Sequence, residues 1–408
     1  MVCPSPDPGE RADQAIAPVV HTRIMNVEAE PLETLRQRTS VKWTEYPPEV
    51  LPLFVAEMDY PLAPGLSRVL HERVAASDSG YVGSPGELPT VFADFAERRW
   101  GWRPGLDGIR TTTDVSVAIV ETLRQAIRPG DGVVITTPVY PPFVSFIAEA
   151  GGVVVDVPLL DAAARPSGYA LDLSGIDRAF AAGARAMLLC HPHNPLGLIQ
   201  PAEDLEAIAA SAARHDVIVI SDEIHAPLVH AGESFTPFLS ISDAARAQTV
   251  TVTSASKGFN LAGFKCALMI AESERTVALL DAMSFEVGAR TSILGLHASI
   301  AGFRDDEEWL DGAIAAIQAS SELLATLLAA HLPAVGYRPP RAGFLAWLDL
   351  RALGWGDDPA GRILDEAKVA LVPGLDFGTV GAGFARLNLA CSAEVLTEAI
   401  ERIRRAAA

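Results

Sequence analysis

Cysteine is scarce in this chain. Cys3, Cys190, Cys266 and Cys391 stand singly among 408 residues, with no CxxC pair. Such scatter argues against a disulfide framework or a cysteine zinc site, so no metal is expected, and it suits a reducing, cytoplasmic compartment. Three of the four read as small core hydrophobes at strand ends. Long apolar runs are missing too: none reaches the roughly 18 uncharged residues of a membrane span, and mean hydropathy is only +0.24. Basic residues are outnumbered, 32 Lys and Arg against 51 Asp and Glu, for a formal net charge of −19. That balance argues against nucleic acid or an anionic membrane surface as a partner. The first 20 residues, with Pro4, Pro6, Pro8 and Pro18, have neither the basic start nor the apolar stretch of a secretory signal. They are expected to form a loose arm. A dinucleotide fingerprint is also missing: the dense glycine cluster Gly378–Gly383 comes late and runs into a strand instead of following an early one.

What is present is ample apolar material, 49% of the chain, and a length that suggests two domains. Between about residues 115 and 271, β-branched runs alternate with amphipathic stretches. Strands are expected at Gly132–Thr137, Gly152–Val157, Ala186–Cys190, Val217–Ser221, Thr249–Ser254 and Cys266–Ala271, and a helix over Pro201–His215. Continuous apolar strands separated by helices predict an α/β fold with a mostly parallel sheet covered on both faces. Ligands of such sheets sit beyond the carboxyl ends of the strands. After about residue 300 the pattern changes to a long helix, Asp311–His331, strands at Phe344–Leu350 and Phe384–Ala390, and a terminal helix. The expected division is an arm and part of a small domain in 1–50, a large domain in 51–300 and a small α+β domain in 301–408. Thr39–Trp43 is expected to pack with the small domain or with a partner subunit.

The residues that follow the strands carry the chemistry. Ala186–Cys190 is followed by His191-Pro192-His193-Asn194-Pro195-Leu196-Gly197, and Val217–Ser221 by Asp222-Glu223-Ile224-His225. Thr249–Thr253 leads into Ser254-Ala255-Ser256-Lys257-Gly258-Phe259-Asn260, and Arg386 lies in Phe384-Ala385-Arg386-Leu387-Asn388. An amide, a carboxylate, a lysine flanked by hydroxyls and an arginine emerge in that order. The order resembles the fold-type I pyridoxal-phosphate (PLP) enzymes, the aspartate aminotransferase superfamily. Within it the chain is similar to the MalY and PatB cystathionine β-lyase group. Arg38–Trp43, Leu53–Pro61, Gly80–Gly83, Pro138–Tyr140, Ser221–His225 and Ser256–Gly263 all match that group's motifs, and the resemblance runs from about residue 36 to 391.

That resemblance implies a large domain with a seven-stranded, mostly parallel sheet in an α/β/α sandwich, a smaller α+β domain, and pyridoxal 5′-phosphate as cofactor. It implies that Lys257 carries the cofactor as a Schiff base and shuttles a proton, which requires its pKa to fall well below the ordinary ~10.4. Asp222 would pair with the pyridine nitrogen, Asn194 and His225 would bond the phenolic oxygen, and Tyr140 would stack on the ring. The phosphate would be held by Ser254, by Val115 and Ser116 at a helix start, by Lys265, and by Tyr81 reaching across a homodimer with shared active sites. Arg386 would take the substrate α-carboxylate through two parallel hydrogen bonds. Each residue has a plainer alternative: a helix cap for Asp222, a turn former for Asn194, core packing for Tyr140 and His225, a salt bridge for Arg386.

Some positions depart from the group's pattern. Asp114 stands where a glycine is usual in the phosphate turn; a carboxylate there would repel phosphate, so it is expected to cap the helix and face away. His191 and Leu196 replace an Asn and a Thr, and Glu57 replaces an Asp. The expected activity is a β-lyase cleaving an L-cysteine thioether, cystathionine or another cysteine S-conjugate, to thiol, pyruvate and ammonia; the His191 and Leu196 changes favour the second, such as a bulkier S-conjugate. An aminotransferase on the same scaffold is the alternative, and a PLP-binding regulatory protein the remaining one.

Overall fold

The computed structural model describes residues 25–407. Most of the expected N-terminal arm, and Cys3, lie outside them. The six strands read from the sequence between residues 132 and 271 all form, several of them a residue or two shorter than expected. They are β2 (Gly132–Ile135), β3 (Val153–Asp156), β4 (Ala186–Cys190), β5 (Ile218–Asp222), β6 (Thr249–Thr253) and β7 (Ala267–Ala271), preceded by β1 (Ile109–Thr112). They make one seven-stranded sheet in the order β1–β7–β6–β5–β4–β2–β3. Strands β2 to β6 run parallel, whereas β7 is antiparallel to both β6 and β1.

Side chains alternate across this sheet, so each apolar run feeds two cores. Val133, Ile135, Leu188, Cys190 and Ile220 face one side, under helix α1 (Val115–Ala126). Val134, Met187, Leu189 and Val219 face the other, under helix α2 (Ala202–His215). Both faces are covered, as the unbroken apolar strands require.

Beyond α3 (Ile293–Asp305), the 25-residue helix α4 spans Glu307–His331, beginning four residues before the expected start. By length and composition α4 could cross a bilayer. Here its Trp309, Leu310, Ile314, Ile317 and Leu324 are buried in the protein's largest core. A second sheet follows, antiparallel, in the order β8 (Gly336–Tyr337), β9 (Leu345–Asp349), β11 (Phe384–Asn388), β10 (Val372–Pro373), and α5 (Ala393–Ala406) closes the chain. The early chain is stitched to this part: Leu51 and Pro52 pair in parallel with Val369 and Ala370. Lys42 and Asp59 form a fully buried ion pair at 2.5 Å, and the Asp59 amide donates to Ala390 O at 2.9 Å. Lys42, in the Thr39–Trp43 stretch, is thus tied through Asp59 to the C-terminal segment.

Candidate active site

The register of the large sheet gathers the candidate residues. Cys190 of β4 lies opposite Asp222 of β5, and Asp222 opposite Val252 of β6. Three neighbouring carboxyl ends therefore deliver Asn194, then Asp222 and His225, then Lys257, to one cavity of about 420 Å³. Each departure is locally fixed. The Asn194 amide donates to Cys190 Sγ at 3.3 Å, closing the turn after β4, and the Ile224 amide donates to Asp222 Oδ1 at 3.1 Å. The same cavity is lined at one end by Val115 and Ser116, in the first turn of α1, and by Lys265. Tyr140 and Phe146 line it as well. Arg386 reaches it from the second sheet, in mid-strand rather than at a strand end, opposite Trp347 and Val372.

Burial governs the charges. It brings the Lys257 ammonium down to about 8, with the Arg386 charge acting the same way, and it lifts the Asp222 carboxyl to about 7 against the pull of the Ile224 amide and Lys257. For both groups desolvation outweighs their mutual attraction. Burial also lowers Arg386 to about 10. His225 falls to about 3, through burial first and then the Lys257 and Arg386 charges, so near neutral pH it is an uncharged hydrogen-bonding ring. Its Nδ1 and the Arg386 Nε are buried without a partner among the described residues. Arg386 is otherwise held by Asn194 Oδ1 at 3.1 Å and Phe54 O at 2.9 Å, with its guanidinium 5.1 Å from the Phe377 ring centre.

One contribution went unassigned at the sequence level. The segment Phe54–Ala56 lines the cavity and works through backbone oxygens: Phe54 O faces Arg386, and Ala56 O accepts from Lys257 Nζ at 2.9 Å. Asn388, fully buried, holds the segment by donating to Val55 O and Glu57 O, each at 2.7 Å. Asn260 adds a pair of 3.0 Å bonds to the Met58 backbone. Leu53–Pro61 stood out as a motif, but carbonyl groups carry no side-chain signal to read.

Several expectations need correction. Ser254 does not line the cavity; its hydroxyl donates to Cys266 O at 2.6 Å and caps the turn at Ser256, and Ser256 lines the cavity instead. Tyr81, whose expected role is in another copy's site and so needs no correction, is 97% exposed and lies outside the cavity of its own chain. Asp114 does cap α1, accepting from the Val117 amide at 3.1 Å, but it does not face away. Lys265 Nζ draws its carboxylate into the cavity at 3.1 Å. His191 is buried in a stack on Phe235, with Nε2 3.1 Å from Thr236 O, and Leu196 packs in the core under β4. Neither touches the cavity, so neither replacement reshapes it, and the argument from them to a bulkier S-conjugate falls. Glu57 likewise stays outside, accepting from Ser40 Oγ at 2.7 Å.

Residues 109–403 match the family model for class I and II aminotransferases. A Mycobacterium leprae protein, itself assigned only provisionally as a cystathionine β-lyase, is 41% identical over 92% of this chain and 96% of its own length. The cystathionine β-lyase of Corynebacterium glutamicum is 34% identical over 91% of this chain and 98% of its own. Among solved structures, a provisionally assigned PLP-dependent β-cystathionase of Corynebacterium diphtheriae superposes with a TM-score of 0.88 at 32% identity, covering 94% of this chain and 99% of that one.

Proposed function

This chain belongs to the class I and II aminotransferase family, the fold-type I enzymes that depend on pyridoxal phosphate, and from that premise we propose that it is a carbon–sulfur β-lyase acting on an L-cysteine thioether. The observation that carries the reading is the meeting, in one cavity, of an amine held down to about 8 and a buried guanidinium, Lys257 and Arg386. The names of the relatives, cystathionine β-lyases among them, support elimination over transfer.

The donor set fits the cofactor. A buried carboxyl, Asp222, suits a protonated pyridine nitrogen. Asn194 and His225, both lining the cavity, suit the phenolic oxygen, and Tyr140 the ring face. The first amides of α1, at Val115 and Ser116, have no intrahelical acceptor by position and with Lys265 suit a phosphate. When bound, the cofactor supplies a sink for the electron pair released at the substrate's Cα. Arg386 fixes the α-carboxylate, and Lys257 Nζ takes the Cα proton. The Cβ–S bond then breaks with its pair on sulfur, a good leaving group because a thiol's pKa is about 8.5. The thiolate is protonated, and water converts the remaining three-carbon enamine to pyruvate and ammonia.

The functional unit in this reading is a cytoplasmic homodimer in which the exposed Tyr81 of one copy serves the other copy's phosphate end. The chain divides near residues 50 and 300 into arm, large domain and small domain. The test is to supply cystathionine and several S-substituted cysteines without any keto acid and to follow pyruvate and free thiol. Equal amounts of both are expected. Neither product, together with conversion of an added keto acid to its amino acid, would replace the lyase by an aminotransferase, the activity for which the family is named.

A further inference from the structure

Asp114 is placed to compete with the cofactor's phosphate. It is the N-cap of the twelve-residue helix α1, and its carboxylate gathers three donors: the Ser116 hydroxyl, the Val117 amide at 3.1 Å, and Lys265 Nζ at 3.1 Å. Two of those residues, Ser116 and Lys265, belong to the group that would hold the phosphate, and both line the one cavity together with Asp114. Burial works against ionisation of Asp114, but the hydrogen bonds from Ser116 and Val117 and the Lys265 charge prevail, so it stays a carboxylate. A phosphate at the start of α1 therefore meets a fixed negative charge and a lysine whose charge is already shared.

We propose that Asp114 is an affinity-setting residue that weakens the hold of this site on the phosphate of pyridoxal phosphate by sharing Lys265 and Ser116 with it and by direct repulsion. The residue acts on cofactor retention and takes no part in bond breaking. The inference rests on the family assignment and on the phosphate end proposed above. It does not depend on whether the enzyme eliminates or transaminates, because the test reads cofactor release rather than turnover.

Asp114→Asn is the informative change, since asparagine caps a helix as well as aspartate does while losing the charge. Full-length holoenzyme would be mixed with an excess of a carbonyl-trapping reagent and the release of PLP followed by its absorbance. The same experiment on protein loaded with pyridoxal, which lacks the phosphate, separates effects on the phosphate from effects on the ring. Asp114→Asn should release PLP about tenfold more slowly than wild type, on the scale of one close charge repulsion in a partly exposed site, with pyridoxal release unchanged. Asp114→Gly, which loses the cap as well as the charge, should still retain PLP longer than wild type. PLP release as fast as wild type or faster in Asp114→Asn would overturn the proposal. So would an equal slowing for pyridoxal, which would place the effect on the ring or the whole fold.

Discussion

Asp222 sits where burial costs it its charge, and that cost is measurable without any substrate. Its carboxyl is lifted from the ordinary 3.8 to about 7. Between those values the folded, cofactor-free chain keeps a proton that the unfolded chain has lost, so stability falls as pH rises through the window. Asparagine cannot lose that proton. Asp222→Asn should therefore gain stability relative to wild type as pH goes from 5 to 8, by on the order of a few kcal/mol, read from urea unfolding of the cofactor-free proteins. A difference that does not change with pH would mean that Asp222 is not held neutral by burial. The same substitution should abolish turnover, because a neutral amide is a poor partner for a pyridinium. At Arg386, truncation to alanine should cost about 2–4 kcal/mol in kcat/KM, mostly as a higher KM for amino acids. Arg386→Lys should recover little, since an ammonium lacks the planar fork. An unchanged KM in Arg386→Ala would remove the residue from substrate binding.

At the scale of elements, the site depends on a segment with no regular structure around Phe54–Met58, clamped by Asn388 two positions beyond Arg386 on β11. Removing the clamp in Asn388→Ala leaves the Val55 carbonyl without its buried donor, while Glu57 O keeps Lys42 Nζ at 3.1 Å, and should cost about 1–3 kcal/mol of stability. Because Ala56 O faces Lys257 and Phe54 O faces Arg386, kcat should fall and KM rise together. A stability loss with unchanged kinetics would make Asn388 a structural residue only. This segment also marks where sequence stopped being informative. Lys257, Asp222, Asn194 and His225 are legible because each lies at the end of a short apolar or β-branched run, and the rule about carboxyl ends then says where to look. Carbonyl oxygens leave no such trace. Strand β1, only Ile-Arg-Thr-Thr, escaped notice because four residues at a sheet edge, antiparallel to β7, carry neither a long apolar run nor a clear alternation. Asp114 was read correctly as a cap, but its direction depended on Lys265, which lies 151 residues away in sequence.

For the molecule as a whole, the open question is how many chains make one site. Tyr81 cannot serve the cavity of its own chain, being 97% exposed, and the motif that carries it has no evident use unless a second copy approaches. If the site is shared, mixing inactive Lys257→Ala and Tyr81→Ala chains should restore measurable activity, because one site in each hybrid is then intact. Full activity in a demonstrably monomeric sample would refute sharing. The central claim, however, is that all the chemistry runs through a single amine, and the sequence makes that unusually easy to test. There are only four lysines: Lys42, Lys257, Lys265 and Lys368. Lys42 is locked in its buried ion pair with Asp59, and Lys265 lies at the phosphate end with Asp114. Borohydride reduction of the yellow holoenzyme, followed by peptide mapping, should place the whole of the pyridoxyl adduct on Lys257. An adduct on Lys265 or Lys368 would contradict the account at its root.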